Sequence, residues 1–310
     1  MTELKGCAIN PIRWPNTPSI WNPQDFHQVR EALLHDEGRW TVSEQIDGST
    51  LSISSQGYMA SRNKMLVKDL TYGVDLENCT FQNVSLAQLK DGLNQVRRFR
   101  LSILEALPEN LGSYLRQVVV FGELIRKSLR FNYESLLEKE LGDWLVFGAA
   151  LVFERATPRC YLDEANFLGA AQISGKIVFM PICDTNMRLF SKNFTEMVPF
   201  YPSQMTVSDI FDQTRQDILD RKVEGVVCTK GNMMFKISGL EKGSDPLKVH
   251  LARLMSQPSL SDSIKRHINE LYEARVGDVT EQYRADRKRR RVQKRRMARF
   301  SKNLSRLQIE

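Results

Sequence analysis

The chain has 310 residues, 42% of them hydrophobic and 26% charged, which excludes a wholly disordered polypeptide and permits one large domain or two modest ones. Its formal charge of +7 comes from 44 Lys and Arg against 37 Asp and Glu. No apolar run approaches the roughly 20 residues that cross a bilayer. Met1-Thr2-Glu3-Leu4-Lys5 leads into no apolar stretch of the kind a secretory signal carries, so an intracellular, soluble, cytoplasmic protein is expected.

The N-terminal segment 11–23 holds four prolines and two tryptophans and reads as an irregular lead-in. Phe26, Val29, Leu33 and Leu34 then space an apolar stripe that predicts a helix over 25–35. Strand-like alternation follows over 40–45 and 50–54, with Asp47-Gly48 between them as a turn pair. Gln56-Gly57 marks a second turn, and 57–61 returns as a third strand. The periodicity of Leu86, Leu89, Leu93, Val96, Phe99, Leu101, Leu104 and Leu107, ended by Pro108, predicts a helix over 86–107. Apolar and β-branched runs at 118–125 and 144–153 suit buried strands, and 223–228 and 233–237 form a pair joined by Gly231-Asn232.

After Gly243-Ser244-Asp245-Pro246 the chain turns polar, helical and basic, with helices expected over 249–255, 260–274 and 279–307. The expectation is therefore an α+β domain over residues 1–244 and a small helical, basic region over 245–310. Twelve of the Lys and Arg fall between 284 and 306, against Asp286 alone among the acids, so the rest of the chain is slightly acidic. Such a block attracts polyanions through counterion release, and would equally serve as a nuclear localisation signal.

Five scattered cysteines with no C-x-x-C pair argue against a disulfide framework or a zinc knuckle. Four histidines without H-E-x-x-H spacing supply no metalloprotease site, and neither a phosphate-loop G-K-[ST] nor a G-x-S-x-G is present. Chemistry concentrates elsewhere, at the edges of the expected strands. The segments are Ser43-Glu44-Gln45-Ile46-Asp47-Gly48-Ser49, Ala60-Ser61-Arg62-Asn63, Val120-Phe121-Gly122-Glu123-Leu124, Val223-Glu224-Gly225-Val226-Val227 and Phe235-Lys236-Ile237-Ser238. Each taken singly reads as a turn, a surface charge or core; their joint order and spacing carry the signal.

In that arrangement the chain resembles the covalent nucleotidyltransferases, the superfamily of polynucleotide ligases and mRNA capping enzymes. It is most similar to ATP-dependent RNA ligases of the phage RNA ligase 2 and RNA-editing ligase type, over about residues 40–240. The resemblance implies a nucleotidyltransferase domain of twisted antiparallel sheets flanked by helices. It implies ATP and Mg²⁺ or Mn²⁺ as cofactors, and RNA with 5′-phosphate and 3′-hydroxyl ends as the partner. In such enzymes a lysine takes AMP from ATP, the adenylate passes to a 5′-phosphate, and a 3′-hydroxyl then displaces AMP. DNA ligases and capping enzymes usually add an OB-fold after the last motif, which the helical pattern beyond 245 disfavours.

Carried over by residue, Asp47 and Gly48 match the D-G of the nucleophile motif, with Glu44 before it, and Gly48 would permit a turn. Arg62 matches the basic residue that binds ribose or the incoming 5′-phosphate, and Glu123 the acid that reads a ribose hydroxyl. Phe147 sits where an aromatic stacks on adenine. Glu224 matches an acid linked to metal binding and adenylate transfer, and Lys236 a lysine on the α-phosphate. The usual K-x-K is here Lys236-Ile237-Ser238, leaving Lys230 to supply the second cation. The position of the nucleophilic lysine is Gln45, whose amide nitrogen is no nucleophile at phosphorus because its lone pair is delocalised. Three accounts of Gln45 stand: a deliberate substitution that traps unreacted nucleotide, a natural non-catalytic relative that binds nucleotide or RNA, and a nucleophile relocated to Lys64 or Lys68. Removing residues 284–310 is expected to weaken RNA binding and to lower the slope of log K against log salt by roughly 0.7 for each phosphate no longer neutralised. An unchanged slope in a salt titration would reassign the basic block to localisation.

Overall fold

Alternating and β-branched sequence builds the strands, which gather in three sheets. The computed structural model describes residues 2–3, 11–20, 22–34, 39–72, 74–125, 144–161, 172–201, 204–206, 209–210, 217, 223–231, 233–238, 255–258, 260–266 and 268–270. In chain order the elements are β1 (Thr2–Glu3), α1 (Phe26–Leu34), β2 (Thr41–Gln45), β3 (Gly48–Ser54), β4 (Met59–Ser61) and β5 (Met65–Val67). There follow β6 (Cys79–Phe81), β7 (Val84–Ser85), α2 (Gly92–Ala106), α3 (Glu109–Gly112), β8 (Leu115–Ile125) and β9 (Trp144–Tyr161). The last are β10 (Gln172–Pro181), α4 (Met187–Asn193), β11 (Gly225–Lys230) and β12 (Met233–Ser238).

A six-stranded antiparallel sheet runs in the order β10-β9-β8-β3-β4-β5, and a three-stranded antiparallel sheet in the order β12-β11-β2. A small third sheet, β1-β6-β7, contains one parallel pair. The mixed α+β class agrees with the expectation from sequence.

Two local expectations are corrected. Asp47-Gly48 does not close a hairpin, because β2 pairs with β11 while β3 pairs with β4 and β8. The pair lies instead where the chain passes from one sheet to the other. The helix expected from 86 begins at Gly92, and 87–89 form a 3-10 turn. Leu86 and Leu89, three apart and both buried, suit a turn of either helix, and Lys90-Asp91, a turn before the poor helix former Gly92, separates the two.

The main core lies on one face of the six-stranded sheet. Leu51, Ile53, Val118, Val120 and Leu124 there meet Val96, Phe99 and Ile103 of α2 and Phe190 of α4. Phe99 is fully buried, stacked on Phe190 at 4.7 Å and edge-on to Phe194 at 5.4 Å. α1 lies against β12 with Val29 and Leu33 buried. Residues Met1–Ser238 form one compact unit and Gly239–Glu310 a second, the first ending with β12. In the second, 262–266 and 268–270 are helical and Leu260, Ile264 and Ile268 are buried. The basic stretch 284–306, the helix expected over 279–307 and nearly all of that over 249–255 lie outside the described residues. Among the described residues no helix is long and apolar enough to cross a membrane.

Phe99→Ala is expected to cost about 3–5 kcal/mol through lost burial and the cavity left beside the Phe190 and Phe194 rings. Urea denaturation should read this as a lower midpoint at unchanged slope.

Candidate nucleotide site

Strand register decides which motif side chains can meet, because alternate residues point to opposite faces. In the three-stranded sheet Gln45 opposes Gly225, Ser43 opposes Val227, and Val227 opposes Lys236. Gln45 and Lys236 therefore share one face, and Glu224 lies just before β11, next in the chain to the Gly225 that opposes Gln45. Gln45 Oε1 is shielded from solvent and has no hydrogen-bond partner among the described residues.

Glu44 and Lys230 fall on the other face. Glu44 lies near Tyr201, whose hydroxyl is pushed up by burial and by the charges of Asp217 and Glu44. Lys230 stands over the ring of Trp40 at 5.8 Å, five residues and roughly 17 Å of strand beyond Gly225. The structure does not bring Lys230 to the face of Lys236. Trp40 itself is fully buried and edge-on to Phe235 at 5.1 Å, so it is core.

The six-stranded sheet contributes its second face, opposite the main core. Gly48 opposes Ile125, Thr50 opposes Glu123, and Ser52 opposes Phe121. Thr50 Oγ1 donates to Glu123 Oε2 at 3.2 Å, which orients that carboxylate. Arg62 follows directly after β4, at the sheet end that also holds Gly48, Thr50 and Glu123, and donates to Asn16 Oδ1. At the same end the tight β6–β7 turn, with φ of 51° at Gln82 and 65° at Asn83, brings Gln82 Oε1 to the Ser49 hydroxyl. Further along this face Gln117 Nε2 donates to Ser54 Oγ at 2.8 Å and to the Tyr58 hydroxyl at 2.9 Å. Burial pushes the Tyr58 hydroxyl above its usual range, against the bonds from Gln117, Ile12 and Ser54.

Phe147 owes its direction to a β-bulge. Phe121 opposes Gly148 while Gly122 opposes Val146, so Phe147 is the extra residue of β9. Its carbonyl accepts from Ile182 N–H at 3.1 Å. The bulge brings Leu145, Phe147 and Gly148 to the same face. Phe147 there packs between the Ile46–Leu145–Val198 group and the Phe121 side of the sheet.

Gly48 is needed for room and not for a left-handed backbone, since its φ is not positive. A Cβ there would stand 2.4 Å from the Leu124 carbonyl oxygen and 2.8 Å from Cγ of Glu123. This corrects the turn-forming role expected of Gly48: β3 and β8 approach too closely for any side chain.

The lead-in, irregular by sequence, borders the candidate site. Trp14 packs on Phe121 at 5.3 Å, Phe147 at 5.2 Å and Phe179 at 5.6 Å. Lys236 N–H donates to the Pro18 carbonyl at 2.7 Å, and Ile20 N–H donates to the Lys236 carbonyl at 3.2 Å. Lys64 and Lys68 are both exposed. Among the described residues no three His, Cys, Asp or Glu side chains group closely enough to hold a metal ion.

The RNA ligase family matches residues 38–250, the stretch that carries β2 through β12. The chain belongs to the RNA ligase family. It is similar to an RNA ligase of Naegleria gruberi solved with PPi, at 16% identity and a TM-score of 0.39, over 77% of this chain and 60% of that one. A variant of the Naegleria enzyme with AMP and Mn matches at 17% identity and a TM-score of 0.39, over 76% of this chain and 59% of that one. Another with ATP and Mn gives 16% and 0.37, over 73% and 56%. This RNA ligase family member thus spans about three-fifths of the length of the solved structures it matches. Among curated proteins none matches it.

Gly48→Ala is expected to force β3 from β8 beside Asp47, because the obstructing atom is backbone and cannot rotate away. The cost should be about 1–3 kcal/mol, read as a lowered urea midpoint; an unchanged midpoint would show that the strands tolerate the methyl.

Proposed function

We propose that this chain is the nucleotide-handling part of an ATP-dependent RNA ligase acting on 5′-phosphate and 3′-hydroxyl ends, with Gln45 at the position of the nucleophilic lysine. The observation that carries it is the shared face of Gln45 and Lys236, reached through a joint of two residues from the sheet end that holds Glu123 and Arg62. Adenosine would pack on Phe147, with Glu123 accepting from a ribose hydroxyl. Lys236 would hold the α-phosphate as a charge-assisted donor, and Arg62 the ribose or the incoming 5′-phosphate. The unpartnered Gln45 Oε1 fits a site completed by a ligand donor, since buried polar atoms are rarely left unpaired.

A divalent cation fits this donor set only as one that arrives with the nucleotide. Mg²⁺ is often held by one or two carboxylates together with substrate phosphates and waters, and Glu224, next in the chain to the Gly225 that opposes Gln45, would supply one. When bound, it would neutralise charge on the phosphate oxygens. Asp47, in the joint between the sheets, would meet the nucleotide or the polynucleotide end.

Gln45 cannot take AMP from ATP, but the last step needs no lysine. A 3′-hydroxyl oxygen bonds to the 5′-phosphorus of an adenylylated strand, the phosphoanhydride bond breaks, AMP leaves, and the hydroxyl proton is released to solvent. The second reading, a nucleotide- or RNA-binding relative without chemistry, rests on Gln45 itself.

Two measurements separate them. Gln45→Lys is expected to become covalently labelled by ATP carrying radiolabel at the α-phosphate, and a variant that stays unlabelled refutes the ligase site. The unsubstituted chain should seal a pre-adenylylated strand while failing to use ATP with a 5′-phosphate strand. No sealing by either route assigns it the binding role.

A further inference from the structure

The segment 11–20 contains two prolines inside the stretch that links Trp14 to Ile20, and it forms no helix or strand of its own. It nevertheless touches three of the candidate site positions in succession. Trp14 meets Phe147 edge-on at 5.2 Å with an interplanar angle of 81°, Asn16 accepts from Arg62, and Pro18 to Ile20 bracket Lys236 through two backbone hydrogen bonds. Thr17 Oγ1 lies 3.9 Å from Sδ of Met234, on the Lys236 face of the small sheet. Ile12 adds a backbone hydrogen bond to Tyr58. One extended strap therefore runs from the second face of the large sheet to the outer edge of β12 in the small one.

The seat of Trp14 is shaped for it. A Cβ on Gly148 would lie 2.4 Å from Cη2 of Trp14 and 2.8 Å from Cζ3, so the indole rests directly on a glycine. Gly148 faces this way because the bulge at Phe147 shifts the register of β9. The same irregularity that extrudes Phe147 also opens the floor on which Trp14 sits. Without the indole, Phe147 would lose the ring that meets it edge-on from the strap side and keep, among the described residues, the more distant Phe121 ring at 6.4 Å.

We infer that Trp14 is a positioning residue of the nucleotide site, fixing the ring of Phe147 and through it the selectivity for a nucleobase; this rests on the reading of Phe147 as the base platform. Edge-to-face contact sets ring orientation, and stacking of a base on an aromatic depends on that orientation. Trp14 itself need not touch the nucleotide.

The test compares two ligands, ATP and the base-less ribose 5-triphosphate, by equilibrium dialysis with Mn²⁺ on the full chain. Trp14→Leu should weaken ATP about tenfold and leave ribose 5-triphosphate unchanged, within the range of one base stack. Trp14→Phe should keep most of the preference for ATP, and if Trp14→Leu does not fold, a roughly twofold fall in that preference for Trp14→Phe carries the same conclusion. Equal losses on both ligands, or no loss, overturn the proposal by assigning Trp14 to packing alone. An unsubstituted chain that binds ATP no better than ribose 5-triphosphate overturns it too, and one that binds neither overturns the nucleotide reading with it.

Discussion

Two residues, Ile46 and Asp47, join the last position of β2 to the first of β3, and the chain changes sheets across them. Ile46 is anchored by burial against Leu145 and Val198, while Gly48 is pinned by the close passage of the Leu124 carbonyl. Neither end of the joint has slack. Gln45, held by the β2–β11 register, and Thr50, held by the β3–β8 register, are thus placed at a fixed separation by backbone hydrogen bonds alone. Other members of the proposed site are arranged around that joint: Glu123 through Thr50 and Lys236 through Val227.

Side chains on such a frame divide by parity. β2 sends Gln45 toward the site and Glu44 toward the Tyr201 and Asp217 side, so neighbours in one motif work in different surroundings. β9 breaks parity at Phe147, and the broken alternation is what allows Leu145, Phe147 and Gly148 to occupy one face. Phe147 shows how a register fault supplies something the regular ladder cannot, since an unfaulted strand would have hidden one of the three.

The elements readable from sequence are those whose cause is local. α1 declares itself in the spacing of Val29 and Leu33, the β3–β4 hairpin in Gln56-Gly57, and the β11–β12 hairpin in Gly231, whose φ is 56°. Asp47-Gly48 misleads because a D-G pair signals a local turn, whereas Gly48 answers to Leu124, distant in the chain. Lys230 is suggested by its proximity to Lys236 in sequence, yet the period of two sets it on the opposite face, a signal that counting along β11 and β12 exposes. Trp14 has no such signal: its segment has neither period, and its contacts are made with β8, β9 and β10.

The strap has a practical corollary for how this protein is cut. The family match opens at residue 38, after the strap and α1 have ended. An expression boundary drawn at the start of that match would preserve each recognisable motif and still strip the indole from Gly148, the amide from Arg62 and both main-chain partners from Lys236. Such a fragment would keep every signature of its family while mimicking a triple lesion at its centre.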